Sequence, residues 1–407
     1  MNAELLAIGS ELVCGASLDT NSQWLSRELE ARGFTVTRHT TIADDLPAMI
    51  EALQAAAKRC RIVLVTGGLG PTRDDITRDA IAQAFNQELV EDAAELEHIK
   101  ALFARFNRHM PERNSIQAVR PQHARPLRNN HGTAPGIVLD LNDPDCLVAA
   151  MPGVPREMKK MFEQQLAPQL PKSPVVVRRV VLRTFGYGES RAEELLGNLT
   201  ARGNNPEVGI TASGAVISLS VTARAASERE CDELVQPAID TIHDKLGHAV
   251  YGQDNDELHG VVHRMLADEQ LTLSLAEGTT TGGLLSQWLY AVDNDDHKVV
   301  RVDRLIPGGD APGQLLDFCE TSHDGADYSV VTSHSTISED AETKGGIQQG
   351  QVAVSGRGLR RVLDVNFTGD LGIFRELAAR MALNLIRLHL MGVPVDEFPT
   401  RTLSGKS

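Results

Sequence analysis

Ile62-Val63-Leu64-Val65-Thr66-Gly67-Gly68-Leu69-Gly70-Pro71-Thr72-Arg73-Asp74-Asp75-Ile76-Thr77 is the stretch whose reading decides the fold. The apolar, β-branched run Ile62–Thr66 has the length and composition of a buried strand, and the glycines after it mark a tight turn. Glycine lets an anionic ligand approach the backbone N–H groups, and the helix that follows adds its positive end. Two adjacent carboxylates, Asp74 and Asp75, come next. Backbone donors beside acids suit a phosphate held with a bridging divalent metal ion. The same pattern also serves a plain strand-to-helix turn capped by aspartate.

Outward from this stretch, strand and helix signals alternate. Leu5–Ile8 begins a strand that runs into Gly9-Ser10-Glu11-Leu12-Val13-Cys14-Gly15. A helix from Thr20 to Gly33 is capped by Asp19 and carries Trp24, Leu25 and Leu29 as its apolar stripe. Phe34–Arg38 reads as a second strand, and Asp44-Asp45-Leu46-Pro47 opens a helix through Arg59. This β-α-β-α-β order implies a parallel, doubly wound α/β sheet. Ligands of such sheets sit beyond the carboxyl ends of the strands where the order reverses. That rule sets the Gly9–Gly15 loop beside the Gly67–Asp75 loop, with Glu11 and Asp75 on one crevice. Neither loop matches GxxxxGK[ST] or GxGxxG, which excludes an ordinary P-loop or dinucleotide fingerprint.

Composition narrows the class. The 407 residues call for two or three domains, and 42% hydrophobic with 23% charged residues is the balance of a soluble globular chain. No apolar run reaches the length of a membrane span and MNAELLAIGS is no signal peptide, so a cytoplasmic protein without a membrane partner is expected. Cys14, Cys60, Cys146, Cys231 and Cys319 lack CxxC spacing, as reduced thiols do. A net charge of −15 argues against nonspecific nucleic-acid binding. Against that acidic background, residues 105–131 concentrate Arg105, Arg108, Arg113, Arg120, Arg125 and Arg128, with His109, His123 and His131. An arginine rim of this kind suits a polyanionic ligand, and a solvated helix and loop is the other reading. A strand at Cys146–Ala150 then leads into Met151-Pro152-Gly153-Val154-Pro155-Arg156-Glu157, a turn that opens a helix at Pro155.

Five ordered motifs, GSELVCG, DTN (Asp19–Asn21), GGLGPTRDDIT, GTAPG (Gly132–Gly136) and PGVPRE, resemble the N-terminal half of the CinA family. The resemblance implies a three-layer α/β/α domain over residues 1–172, akin to the molybdopterin-binding domains. It also implies metal-dependent hydrolysis of an ADP-ribose-type pyrophosphate; the related cofactor domains adenylylate a pterin. By the family's motifs, Glu11, Asp44 and Asp75 become the catalytic and metal-holding acids around a divalent ion of unknown identity. Gly67, Gly68, Gly70 and Thr72 become the phosphate contacts. The partner implied is a nucleotide or pterin-like phosphorylated small molecule, and CinA relatives suggest a homodimer.

The proline-rich segment 167–174 marks the first boundary. Residues 173–254 read as β-α-β-β-α: a strand at Val175–Phe185, a helix after Gly186-Tyr187-Gly188, strands near 207–211 and 215–222, and a helix from Glu228 to Leu246. That order resembles the small α+β KH-like domain of CinA proteins. A nucleic-acid KH module needs a GxxG clamp with basic flanks. This segment has none, so a spacer or dimerisation module is expected.

Residues 255–407 resemble the family's C-terminal α/β domain, an amidohydrolase of nicotinamide mononucleotide. The strand Leu271–Ala276 runs into Glu277-Gly278-Thr279-Thr280-Thr281-Gly282-Gly283, so the loop is AEGTTTGG where the family has AESCTGG with a serine nucleophile. The serine position falls on Gly278 or Thr279. Arg301–Asp310 lacks the family's tyrosine and activating lysine, and its later TGxAGP loop is Thr332-Ser333-His334-Ser335-Thr336 here. Acyl transfer requires an activated nucleophile with a base in reach. Gly278, Thr279, Thr280 and Thr281 are therefore read as a degenerate amidase site, and His323, His334 and Ser335 as loop residues. Two further readings stay open: an active amidase of pyridine-nucleotide recycling, and a non-catalytic nucleotide- or pterin-binding scaffold.

Overall fold

A computed structural model describes residues 1–105, 107–293, 298–306, 315–338 and 346–395. Pro307–Asp310, part of the segment compared above with the family's tyrosine and lysine, lie outside the described residues. The chain divides into two compact units, Met1–Arg178 with Arg224–Cys231, and Arg179–Ala223 with Asp232–Ser407.

The first unit begins with β1 (Asn2–Ile8), a single turn α1 (Ser10–Val13), α2 (Thr20–Ala31), β2 (Thr35–Ile42), α3 (Leu46–Arg59), β3 (Ile62–Thr66) and α4 (Thr77–Ala84). It continues through β4 (Leu89–Glu91), α5 (Ala93–Arg105), β5 (Val119–Pro121), β6 (Arg125–Leu127), β7 (Gly136–Asn142), β8 (Asp145–Met151) and α6 (Pro155–Met161). Six strands form one sheet in the order β2-β1-β3-β8-β7-β6. The first four pair in parallel, and β7 and β6 turn antiparallel at the far edge.

The alternation of the strands produces three layers. Ala3 and Leu5 of β1, Ile62 and Leu64 of β3, and Leu147 and Ala149 of β8 pack with Leu25 and Leu29 of α2 and Met158 and Met161 of α6. Their neighbours Leu6, Ile8, Val63, Val65, Val148 and Ala150 pack on the other face against Met49 and Leu53 of α3 and Ala80 and Ile81 of α4. A strand apolar at every position is what a sheet covered on both faces requires. Asp19 and Asp45 cap α2 and α3, accepting from Ser22 N and Ala48 N at 2.9 Å each. One acid interrupts the apolar set: Glu4, 1% exposed, is held by Arg59 through two bonds of 2.8 and 2.7 Å. The Arg59 guanidinium keeps the Glu4 carboxyl below its ordinary value.

The second sheet is built from β9 (Val176–Thr184), β10 (Glu207–Ser213), β11 (Val216–Ala225) and β12 (Val250–Gln253), in the order β10-β11-β9-β12. Its helices are α7 (Glu189–Leu196) and α8 (Glu228–Leu246). Strand β12 was not anticipated from sequence. Its four residues carry too short a pattern to register, and pairing with β9 is what forms it.

The remaining elements are α9 (Leu258–Asp268), β13 (Leu273–Glu277), α10 (Leu284–Tyr290), β14 (Val300–Leu305), α11 (Leu315–Thr321), β15 (Tyr328–Thr332), β16 (Thr336–Ser338), β17 (Ile347–Gly356), β18 (Leu359–Thr368) and α12 (Leu371–Leu390). Strands β14, β13 and β15 run parallel, β17 is antiparallel to β15, and both β16 and β18 pair with β17. Leu377, Met381, Leu385 and Leu388 of α12 are buried, the core stripe expected of that helix. Among the described residues no helix is long and apolar enough to cross a membrane, and all five cysteines are free.

Candidate functional site

At the carboxyl ends of β1, β3 and β8 the first unit opens into a cleft of about 550 Å³. Each of the five sequence motifs reaches it: Glu11 and Leu12, then Asp19 and Asn21, then Gly67–Pro71 with Asp74 and Asp75, then Thr133 and Ala134, and last Pro152–Pro155 with Glu157. The strand order explains the convergence. β1 and β3 are neighbours whose following helices leave toward opposite faces, so a crevice opens between their terminal loops.

Gly67 and Gly68 take φ of +99° and +65°, a region that favours glycine. A Cβ on Gly67 would meet Ile8 O at 2.3 Å, and one on Gly68 would meet Thr77 Oγ1 at 2.2 Å. The loop is thereby pressed onto β1 and onto the start of α4. Gly67 N donates to Met151 O at 3.0 Å, so its amide is spent inside the sheet. Gly68, Leu69 and Gly70 line the cleft, and their amides donate to no backbone acceptor among the described residues. Phosphate contact is thus open to Gly68 and Gly70, and Leu69 joins them, whereas the Gly67 contact expected from sequence is not available through its N–H.

Thr72 departs further from expectation. Its N–H donates to Asp75 Oδ2 at 2.8 Å and its hydroxyl donates to the same oxygen. It faces a neighbouring groove with Arg113 and Ile116 instead of the cleft. The side chain closes the turn on Asp75, a local use that the spacing alone does not distinguish from ligand contact.

Glu11, Asp44 and Asp75 all border the cleft, but the structure does not assemble them into a metal cage. Among the described residues no group of three or more His, Cys, Asp or Glu side chains is placed to hold an ion. Asp44 Oδ2 instead accepts from Ser10 N at 2.9 Å and Ser10 Oγ at 2.8 Å, capping α1. Asp75 is committed to Thr72, as above. Glu11 folds back over Gly9, where a Cβ would meet its Oε1 at 2.6 Å. A resident divalent ion ligated by these three acids therefore does not fit the described side chains.

The arginine rim is also dispersed. Arg120 pairs with Asp92, Arg125 with Asp140 and Arg128 with Glu95. Arg113 alone of that set comes near the glycine loop, donating to Pro71 O at 3.2 Å. The cleft is lined by Glu11, Asp19, Asp44, Asp74, Asp75 and Glu157, and by no lysine or arginine.

Arg78 was not singled out from sequence. It is 2% exposed and lies beneath the glycine turn, donating to Leu69 O at 2.7 Å and Gly70 O at 2.8 Å. Burial pushes its basicity down, with Asp75 and Asp79 opposing. By fixing the Leu69 carbonyl it fixes which way the Gly70 amide of the same peptide plane faces, as Thr77 does for the Gly68 and Leu69 amides by donating to Gly67 O and Gly68 O. A signal existed: a cation in the first turn of a helix opposes the macrodipole and so needs another reason to be there. Asn21 was read as part of a motif without a role. Its Nδ2 donates to Gly153 O at 2.7 Å, tying the start of α2 to the turn before α6.

In the second unit, the loop after β13 is closed by its own hydroxyls. A Cβ on Gly278 would lie 2.3 Å from Ser333 O, so no serine side chain fits there in this backbone. Thr279 Oγ1 accepts from Ser335 N at 2.8 Å and shares a 3.0 Å bond with Ser335 Oγ. Thr280 and Thr281 are buried and bonded to Ser333 Oγ and Thr332 Oγ1. His334 donates from Nε2 to Ile306 O at 3.0 Å, which leaves Nδ1 to accept from Thr279 N. Both of its ring nitrogens are taken up in holding the loop. His323 bonds Ala326 O and Ser355 Oγ, away from this loop.

The first unit is thus a three-layer α/β/α domain with the fold of the molybdopterin-binding type, and its cleft lies at the strand switch point. Residues 4–172 match the family described as "Probable molybdopterin binding domain", and residues 179–252 match the "Damage-inducible protein CinA KH domain". The chain is 34% identical to a CinA-like protein of Frankia casuarinae over 98% of this chain and 99% of that one. It is 38% identical to a CinA-like protein of Dictyoglomus thermophilum over 72% of this chain and 71% of the relative. The chain belongs to the CinA-like family. Among solved structures, a protein CinA of unknown function from Thermoplasma acidophilum shows 29% identity and a TM-score of 0.39, over 42% of this chain and 98% of that one. The tungsten cofactor synthesizing protein MoaB from Pyrococcus furiosus shows 18% identity and a TM-score of 0.29, over 41% and 91%.

Proposed function

We propose that the N-terminal domain hydrolyses an ADP-ribose-type nucleotide diphosphate in the cleft at the ends of β1, β3 and β8. The observation that carries this reading is the set of amides without a backbone acceptor at Gly68, Leu69 and Gly70, residues that line a cleft of nucleotide size. They offer donors to the non-bridging oxygens of a diphosphate without a basic side chain. Six carboxylates around the same cleft repel a bare polyanion; each unit pair costs about 1 kcal/mol at 4 Å even in bulk water. The substrate that suits such a lining is a diphosphate already complexed with a divalent cation. Magnesium in particular binds through substrate phosphates with one or two carboxylates. On this reading the ion arrives with the substrate and is no resident cofactor.

In the proposed reaction, water attacks one phosphorus and the P–O bond to the bridging oxygen breaks. The products are two phosphomonoesters, with the proton of water passing to a carboxylate and then to solvent. Glu11, whose carboxylate has no capping role, is the base in this scheme. Asp44 and Asp75 act by holding the loops on which the donors and the base stand.

Incubation of the full chain with ADP-ribose and magnesium should release AMP and ribose 5-phosphate in equal amounts. Glu11→Gln should lower the rate by about 100-fold or more. Turnover unchanged in Asp75→Asn would remove Asp75 from the mechanism, and absence of AMP release by the wild-type protein would remove the reaction. For the second unit we infer an amidase-like fold without amidase activity, supported by the loop hydroxyls being bonded to one another and His334 to Ile306 O and Thr279 N.

A further inference from the structure

A much smaller cavity, of about 10 Å³, lies in the first unit among α4, α5 and the strands β5, β6 and β7. That is about the room one water molecule needs, and too little for a larger ligand. Three polar side chains that line it are almost wholly buried, Arg78 and Gln117 at 2% exposure and Glu95 at 3%. Each is held at one end and open at the other. Arg78 gives Nη1 and Nη2 to the carbonyls of Leu69 and Gly70, and its buried Nε–H has no acceptor in the protein. Glu95 takes two bonds from Arg128 on Oε1, at 3.0 and 2.8 Å, and its buried Oε2 has no donor. Gln117 accepts from Asn114 Nδ2 at 3.0 Å on Oε1, which leaves its Nε2 to donate. Two donors and one acceptor are what a single water satisfies, accepting on both lone pairs and giving one hydrogen to the carboxylate.

We propose that one buried water occupies this cavity and bridges Arg78 Nε, Gln117 Nε2 and Glu95 Oε2, which makes Glu95 a positioning residue for the glycine turn. The two carbonyl bonds hold one edge of the planar guanidinium, and a bond at Nε fixes its plane from the other side. With the plane fixed, the Leu69 carbonyl and the Gly70 amide of the same peptide unit keep their direction. Glu95 is itself braced through Arg128, whose N–H and carbonyl both bond the side chain of Gln165. Gln117 lines the large cleft as well as the small cavity, so the water stands behind the cleft wall.

A crystal structure of the full chain, at a resolution that shows ordered waters, should place one water within hydrogen-bond distance of all three atoms. No density there, or a water that misses any of the three, would overturn the bridge. Glu95→Gln keeps an oxygen for Arg128 and turns an N–H toward the water, which then meets three donors with two lone pairs. It should weaken the magnesium complex of ADP by roughly three- to tenfold, as one lost hydrogen bond does. In an Arg78→Met background the same change should cause no further loss, in calorimetric affinity or in Tm, because Glu95 acts through Arg78. Additive losses, or ADP affinity equal to wild type in Glu95→Gln, would overturn the positioning role. The affinity measurement rests on the diphosphate reading given above, whereas the density and the Tm values do not. A wild-type chain that binds no ADP yet shows the water and the coupled fall in Tm would remove that reading and keep the bridge.

Discussion

Replacing Arg78 by methionine tests the claim that a buried cation sets the shape of the glycine turn. The guanidinium is 2% exposed and donates to the carbonyls of Leu69 and Gly70 at 2.7 and 2.8 Å. Hydrogen bonds with a charged donor contribute about 1.5–3 kcal/mol each, so the gross loss is about 3–6 kcal/mol. Methionine also removes a buried charge whose desolvation costs several kcal/mol, which offsets part of that loss. The net expectation is destabilisation of the N-terminal unit by about 2–3 kcal/mol. For a unit of this size that corresponds to a fall in Tm of about 5–10 °C. The chain has two tryptophans, and Trp24 packs edge-on against Phe162 inside this unit. Trp24 emission in a Trp288→Phe background therefore follows its unfolding separately from the second unit. Affinity for the magnesium complex of ADP should fall in parallel, because the freed Leu69 carbonyl lets the Gly70 amide of the same peptide plane turn. Arg78→Lys should fall between the two, since an ammonium cannot span both carbonyls in the same planar fork. An Arg78→Met protein with wild-type Tm and wild-type ADP affinity would refute the reasoning.

Gly68→Ala should abolish diphosphate binding, since its Cβ would lie 2.2 Å from Thr77 Oγ1 at a φ of +65°; calorimetric affinity equal to wild type would show that the turn yields. Stability should depend on acid through Glu4, whose bonds to Arg59 lower its folded pKa below the ordinary 4.5. A lowered folded pKa means the stabilisation is present above 4.5 and is lost as pH falls through the folded value. The stability gap between wild type and Glu4→Gln should accordingly narrow below pH 4.5 in urea titrations, and a gap constant with pH would contradict the assignment. The full chain should release no ammonia from nicotinamide mononucleotide; release that disappears in Thr279→Ala would overturn the reading of the second unit.

Much of the first unit was legible because its determinants are local. Ile62–Thr66 is apolar at its first four positions and β-branched at its last, and it emerges as a strand with those bounds, buried throughout. Asp45 and Pro47 mark the start of α3, and the side chain of Asp45 does cap it. The crevice between the first and third strands followed from topology, and the motif loops line it. What escaped is partner choice. The six arginines of residues 105–131 suggested a rim, but Asp92, Glu95 and Asp140 claim three of them across 15 to 33 residues of chain. Sequence spacing does not report which acid an arginine will meet. Asp44 and Asp75 read as metal ligands for the same reason: an acid that caps a neighbouring turn and an acid that binds an ion look alike until the turn is seen.

The loop after β13 is fastened by its own hydroxyls. Acyl transfer needs a nucleophile with a base in hydrogen-bond reach. Here Thr279 with Ser335, Thr280 with Ser333, and Thr281 with Thr332 are three reciprocal pairs across the same two segments. His334, the imidazole beside them, is oriented by Ile306 O and spends its remaining nitrogen on a backbone amide. Arg375 adds a bond to Thr279 O, so the main chain of the loop is fastened as well. Each of these bonds stabilises the loop, and none of them brings a base to a threonine hydroxyl. The second unit keeps the strand–turn–helix geometry around this loop, and the bonding of its hydroxyls to one another is what supports reading it as an amidase-like fold without amidase activity.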